Sequence, residues 1–215
     1  MSKLVVFGAT GFAGSRITDE ALRRGHSVIG VARKAEGLPS GVEARSGSMH
    51  DAEFVASVAK GADVLVIATP GRADDEGRRL VDALPTLVEA ARANGARLAI
   101  VGGAGSLRVS EDGPRVIDTP DFPEEYKPEA GSHVLVLEAL RELPADDVDW
   151  FYVSPAAEFG SWIPGERTGK FRLGGDVLVS DADGRSHISG ADLAIAFLDE
   201  IEEPKHSRAR FTLAY

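Results

Sequence analysis

The sequence predicts an α/β protein built on a doubly wound, open parallel sheet. Three observations carry that prediction. Apolar, β-branched runs alternate with helical segments along the first 155 residues or so. One of them, Asp63-Val64-Leu65-Val66-Ile67-Ala68, is almost unbroken, as a strand covered on both faces requires. The chain also opens with Lys3-Leu4-Val5-Val6-Phe7, then Gly8-Ala9-Thr10-Gly11-Phe12-Ala13-Gly14, then a helical pattern from Ser15 to Arg24.

A strand, a glycine turn and a helix start in that order form a pyrophosphate site. The first glycine permits the tight turn, the second admits phosphate to the backbone, and the third lets the helix pack on the strand. Free N–H groups of the first helical turn then face the anion. Gly8 and Gly11 are three apart rather than two, so this is a G-x-x-G-x-x-G variant. Gly8, Thr10, Gly11, Phe12 and Gly14 are the expected contacts, and the fold is expected to be of the Rossmann type.

The second strand spans Ser27 to Ala32 and a short third one Val42 to Arg45. Asp51 to Lys60 is a modest helix with Phe54, Val55 and Val58 on one face. After the fourth strand, apolar residues at Leu80, Val81, Leu84, Leu87, Val88 and Ala91 predict a helix over 76–94, which Pro85 would kink and Asn94-Gly95 would stop. Arg97 to Val101 is a fifth strand, ending at Gly102-Gly103-Ala104-Gly105. Residues 118–128 hold three prolines and several acids and read as a lid-like loop. A helix over Glu129–Leu143 and a sixth strand over Asp149–Val153 follow, with a strand order of 3-2-1-4-5-6. Beyond that, 158–167 reads as irregular. Lys170–Leu173 and Val177–Ser180 suggest a hairpin across Gly174-Gly175-Asp176. Asp192–Ile201 is helical, and Arg210–Leu213 could add a last strand. The 215 residues suit one domain, with residues 156–190 capping the substrate side.

Composition narrows the function. A formal net charge of −10 disfavours nucleic acid as a partner. The chain has no cysteine, hence no disulfide, thiolate ligand or cysteine nucleophile. His26, His50, His133, His187 and His206 are dispersed without ligand spacing, so no metal is expected. No Gly-x-Ser-x-Gly elbow and no phosphate loop of the Gly-Lys-Ser/Thr type occurs. Without a signal-peptide pattern or an apolar run long enough for a bilayer, the expectation is a cytoplasmic protein with no membrane partner.

Ligands of such a sheet sit beyond the carboxyl ends of its strands. That rule selects Gly8–Gly14, Ala32–Lys34, Gly47–Met49, Thr69–Gly71, Gly102–Ser106 and Ser154–Glu158. Where an NAD site places an acid, Ala32 is followed by Arg33 and Lys34. A guanidinium pairs with a 2′-phosphate that an acid would repel, so NADP is expected over NAD, with Arg33 as discriminator. Ser48, Thr69, Pro70, Gly102, Gly103 and Ser154 complete the expected cofactor contacts. The Tyr-x-x-x-Lys pair of alcohol chemistry is absent: Ala130 and Ala156 stand four residues after Tyr126 and Tyr152, and Tyr215 ends the chain. Ser106 and His133 remain as catalytic candidates. Tyr126, Glu158 and Trp162 are candidate substrate contacts, with Lys127 beside Tyr126 in the lid.

Together, the glycine turn, Arg33, the Gly102–Ser106 turn and the missing Tyr-x-x-x-Lys resemble the atypical short-chain dehydrogenase/reductases. The bacterial NADH-flavin reductase family is the nearest in pattern, itself similar to biliverdin reductase B/flavin reductase and NmrA-like proteins. The segments 118–123, 125–128, 154–157 and 165–170 share that pattern. The resemblance implies a nicotinamide dinucleotide cofactor and a flavin or another small planar acceptor. Ser132-His133 matches the histidine that the biliverdin reductase B group carries, whereas Ala156-Ala157-Glu158 stands where that group has a second one. Hydride transfer from NADPH to a flavin, quinone or similar acceptor is the expected reaction. The alternatives are a non-catalytic NADP sensor of the NmrA type and an epimerase- or dehydratase-like protein.

Overall fold

The computed structural model describes residues 1–163 and 165–215. Pro164, within the stretch expected to be irregular, lies outside the described residues. Among the described residues, eight strands form one sheet: β1 (Lys3–Phe7), β2 (Ser27–Ala32), β3 (Val42–Ser46), β4 (Val64–Ile67), β5 (Arg97–Val101), β6 (Trp150–Ser154), β7 (Arg172–Gly174) and β8 (Ala209–Ala214). Their order is β3-β2-β1-β4-β5-β6-β8-β7. The first six follow the order expected from sequence, and all pairings are parallel except β7 with β8. This is the Rossmann-type arrangement.

Alternation along the strands divides the core into two layers. Val5 and Phe7 of β1, with Leu65, Ile67, Ile100, Trp150 and Tyr152, pack under α2 (Ala52–Ala59), α3 (Leu80–Asn94) and α4 (Lys127–Glu142). Leu4 and Val6, with Val66, Phe151, Val153 and Phe211, pack under α1 (Phe12–Arg23) and α5 (Gly190–Glu202). Strand order reverses between β1 and β4, and there the crevice opens.

Several boundaries differ from the sequence reading, each for a local reason. Helix α1 starts at Phe12, so the third glycine lies inside the helix instead of before it. Helix α3 starts at Leu80 and not at residue 76, because Asp74 closes a turn over 74–78. Its carboxylate accepts the N–H groups of Glu76 and Arg78 as well as the Arg78 guanidinium. Pro85 lies inside α3, which runs on as one helix to Asn94. Helix α4 starts at Lys127, leaving Tyr126 as its cap, and Pro128 is accommodated in the first turn, where its missing N–H costs nothing. The expected hairpin does not form. β7 pairs with β8, while the strand expected over 177–180 bonds instead to Arg108: Arg108 N–H donates to Asp176 O, and Leu178 N–H to Arg108 O.

Carboxylates pin the residues beyond β6 to the sheet. Asp192, 0% exposed at the start of α5, accepts the Thr168 and Gly169 N–H groups, the Thr168 hydroxyl and the Tyr215 phenol. Glu20 of α1 is buried between Arg24 and Arg167. Asp192→Ala leaves four donors without their acceptor. It should lower unfolding stability by about 3 kcal/mol and expose residues 165–170 to protease. Urea unfolding and limited proteolysis measure both, and an unchanged midpoint would show that the clamp holds nothing.

Candidate nucleotide-binding site

The amino-terminal turn is shaped by two close backbone approaches. Gly8 has φ +85°, and a Cβ there would lie 2.4 Å from Ala68 O. A Cβ on Gly14 would lie 2.1 Å from Gly8 O. Neither position has room for a side chain. Gly11 is different: its Cβ would meet Gly8 O at 3.2 Å and Ala68 O at 3.8 Å, with nothing closer. Gly8 and Ala9 donate their N–H groups to Val31 O, which ties the end of β2 to the turn.

Gly11 caps α1 without a side-chain bond, and the first turn contains no acidic residue. Its N–H groups therefore have no intrahelical acceptor and meet no carboxylate in that turn, as a diphosphate requires. On this observation the turn fits a dinucleotide.

A cavity of about 250 Å³ opens beside the turn. It is floored by Phe7, Val31 and Ala68 and walled by Met49, His50, Thr69 and Pro70. Of the residues expected to bind cofactor, it gathers Gly8, Thr10, Gly11, Arg33, Ser48, Thr69 and Pro70. Arg33 is exposed on the rim, with Nη1 3.2 Å from Asp75 Oδ2. Arg72 and Arg78 stand on the same rim. Arg78 is bound by Asp74, whose carboxyl is held down at about 2, first by the Arg78 backbone N–H. A broader depression of about 720 Å³ lies at the amino ends of the strands. Its arginines are already paired, Arg92 with Asp147 and Arg97 with Asp149, and it has no glycine turn.

The remaining candidates lie outside this cavity. Phe12 turns its ring to the cap, against Phe159 (centroids 5.2 Å apart) and beneath Arg16, so only its backbone faces the turn. Lys34 is exposed beyond the lining. Gly102 gives space to a phenol, for a Cβ there would lie 1.9 Å from Tyr152 Cζ. Gly103 N–H donates to Tyr152 Oη at 3.4 Å, and the phenol donates to His133 O at 3.1 Å. Burial pushes the Tyr152 phenol well above its ordinary value. His133 packs against Gly71 and Gly103, and burial lowers it to about 4, so it is neutral at pH 7. Ser106 and Ser154 both accept from the buried Arg210, which also pairs with Asp176; Ser154 is fully buried and has no surface to offer a cofactor. Tyr126 and Trp162 are exposed, Trp162 lying over Gly160. Glu158 is held below its usual range by a forked ion pair with Arg185.

Sequence reasoning missed His50, Arg72, Asp74, Arg78 and Arg210. The first four lie one to seven residues past a strand-end stretch already selected, so the strand-end rule pointed toward them and stopped short. Nothing in the sequence signalled Arg210, which depends on β8 pairing with β6.

A family model described as NAD(P)H-binding matches residues 8–204. The chain belongs to this NAD(P)H-binding family. Protein YwnB of Bacillus subtilis, of no stated function, is 39% identical over 98% of this chain and 97% of its own. Among solved structures, a “putative epimerase” from Bacteroides thetaiotaomicron is 35% identical over 100% of this chain and 97% of its own, with a TM-score of 0.87. A “putative NADH-flavin reductase” from Streptococcus pneumoniae is 34% identical over 100% and 99%, with a TM-score of 0.81. The family assignment agrees with the glycine turn. Among the described residues no group of three potential ligands could hold a metal ion, and no helix is long and apolar enough to cross a membrane.

The glycines separate a folding role from a binding role. Gly14→Ala should destabilise this NAD(P)H-binding protein by several kcal/mol, of the order of other overpacking changes. Gly11→Val should leave the melting temperature within a few degrees and abolish nucleotide binding. Melting curves and fluorescence titration distinguish them; a Gly11→Val protein that still binds would move the site elsewhere.

His133 adds a pH dependence. In the unfolded chain its imidazole takes a proton near 6.5, in the folded protein only near 4. The unfolded state therefore binds more protons between these values. The contribution is complete above pH 6.5 and is lost as pH falls to 4, by about 3 kcal/mol at most. Urea unfolding across this window should show a shallower slope for His133→Asn than for the parent; identical slopes would refute it.

Proposed function

We propose that this protein is an NADPH-dependent reductase of a planar conjugated acceptor, a flavin or a quinone. One observation carries the choice of acceptor. The phenol nearest the strand ends, Tyr152, is built into the core and bonded to His133 O and Gly103 N–H, so it has no free proton to place on a substrate oxygen. Neutral, buried His133 and ion-paired Glu158 are equally poor donors. Conjugated acceptors take hydride directly and draw their proton from water, so positioning suffices. The solved relative described as a NADH-flavin reductase supports the same reading.

When bound, NADPH supplies the hydride from its nicotinamide C4. The residues of the chain do the rest. The first turn of α1 holds the diphosphate. Arg33, exchanging Asp75 for the 2′-phosphate, sets the preference for NADPH, with Arg72 within reach of the same rim. The loops after β4 and β5, packed on His133, form a dry wall on the nicotinamide side. Tyr126 and the segment around Trp162 cover the acceptor.

With FMN or a soluble quinone present, NADPH absorbance should fall in proportion to enzyme. Tight binding without oxidation would instead favour an NADP sensor. Arg33→Asp should weaken NADPH at least tenfold, the loss of one charge-assisted contact, and leave NADH nearly unchanged. Equal loss of both coenzymes would remove the 2′-phosphate assignment.

A further inference from the structure

The segment after β6 is rich in charged residues, but residues 159–163 carry none. Within them stands Trp162, 66% exposed, more than any other large apolar side chain among the described residues except Met1. A single exposed apolar residue is ordinary. One for which the backbone has been cleared is not. A Cβ on Gly160 would lie 2.1 Å from Trp162 Cζ3 and 2.2 Å from Cη2, so the benzo ring rests where only glycine leaves room. Ile163 N–H donates to Gly160 O at 3.1 Å and closes the turn that presents the indole. The ring is therefore held against the backbone on one side and open to solvent on the other.

Its position gives the open side a use. β4, β5 and β6 lie on the opposite side of β1 from β2, whose end carries Arg33. A dinucleotide that leaves its phosphorylated ribose at Arg33 runs its nicotinamide toward the ends of those three strands. The turn of Trp162 follows the end of β6. Phe159, just before it, packs on Phe12, the first residue of α1, with ring centroids 5.2 Å apart at 67°. Trp162 is thus tied to the diphosphate turn through an aromatic pair, on the reacting half of the site.

We propose that the open side of Trp162 is the surface on which the conjugated ring of the acceptor stacks, so that acceptors are selected by a flat, electron-poor ring and not by charge. This rests on the reductase reading of the site. Indole is electron-rich, and an oxidised isoalloxazine or quinone is electron-poor, so offset stacking of the two is favoured. No carboxylate, ammonium or guanidinium lies in residues 159–163, so the turn grips the ring of a flavin and not its phosphate tail. Gly160 holds the indole in place before the acceptor arrives, and little side-chain freedom is lost on binding.

The probe is riboflavin, the flavin ring without a phosphate, titrated into protein loaded with NADP⁺ so that no hydride is available. Wild-type protein should quench riboflavin emission and give a long-wavelength charge-transfer absorbance, and FMN should bind equally well. Trp162→Leu should abolish that absorbance and weaken riboflavin about tenfold, the worth of one aromatic stack. It should raise the acceptor KM by the same factor and leave kcat and NADPH affinity unchanged. Trp162→Phe should recover part of the affinity without the absorbance. Gly160→Ala, which keeps the indole but pushes it off the turn, should weaken riboflavin as Trp162→Leu does. Equal riboflavin affinity and equal acceptor KM in wild type and Trp162→Leu would overturn the proposal. So would a dimer, seen by sedimentation at the titration concentration, that Trp162→Leu dissociates, because a second copy would then cover the ring. Turnover indifferent to Trp162 removes only the stacking surface; wild-type protein that neither oxidises NADPH with any acceptor nor quenches riboflavin removes the reductase reading as well.

Discussion

The structure depends on the contact between Gly14 and the Gly8 carbonyl. With the Gly14 Cβ position only 2.1 Å from that oxygen, helix and turn touch backbone to backbone. Gly8 in turn abuts Ala68 at the end of β4. Two missing side chains thus hold β1, α1 and β4 together at the point where strand order reverses. The crevice, the bare N–H groups and the axis of α1 follow from that closeness. Gly11 adds an N–H bond to the same Gly8 carbonyl, but a Cβ there would approach nothing closer than 3.2 Å.

Charge performs the corresponding task at the periphery. Asp192 and Glu20 are buried acceptors that take donors from the segment beyond β6, Glu20 sharing its carboxylate with Arg24 as well. Glu200, also buried, accepts from Arg97 and His206 and holds the turn before β8. A buried carboxylate is costly unless every lone pair is used. These three therefore specify where the late segments sit as well as stabilising them. Packing alone would do this poorly, since residues 165–185 contribute little to either apolar layer.

The order of the first six strands was legible because most of them are short apolar runs separated by helices, although β2 and β3 have no helix between them. The start of α3 was not. A pattern of apolar spacing cannot show that Asp74 will capture the N–H groups of Glu76 and Arg78 and delay the helix to Leu80. The hairpin failed for a similar reason: the glycines at 174 and 175 allow a turn, but Arg172–Gly174 pairs with β8 and the segment after the turn bonds to Arg108, partners far away in sequence. In the site, the glycine turn and Arg33 were readable from chemistry at fixed spacing. His50 and Arg210 were not, since their meaning comes from what stands across from them in space.

The two halves of the site are held by different physics, and this bears on how such a fold changes its chemistry. The nucleotide half is fixed at Gly8 and Gly14 by backbone contacts that tolerate no side chain, so substitution at those two positions costs folding before it alters function. The other half is cross-linked by side chains. Arg210, almost wholly buried, joins Ser106 in the loop after β5, Ser154 at the end of β6 and Asp176 in the cap. Burial lowers its pKa, a sign of what the desolvated cation costs, and Asp176 offsets part of that. Side-chain links of this kind can be exchanged while the sheet stays intact. Solved relatives about a third identical to this chain carry different descriptions, an epimerase and a flavin reductase, on one backbone. One part of the site is thus set by backbone contacts that leave no room for a side chain, and the part beside it by charged and polar side chains that substitution can change without disturbing the sheet.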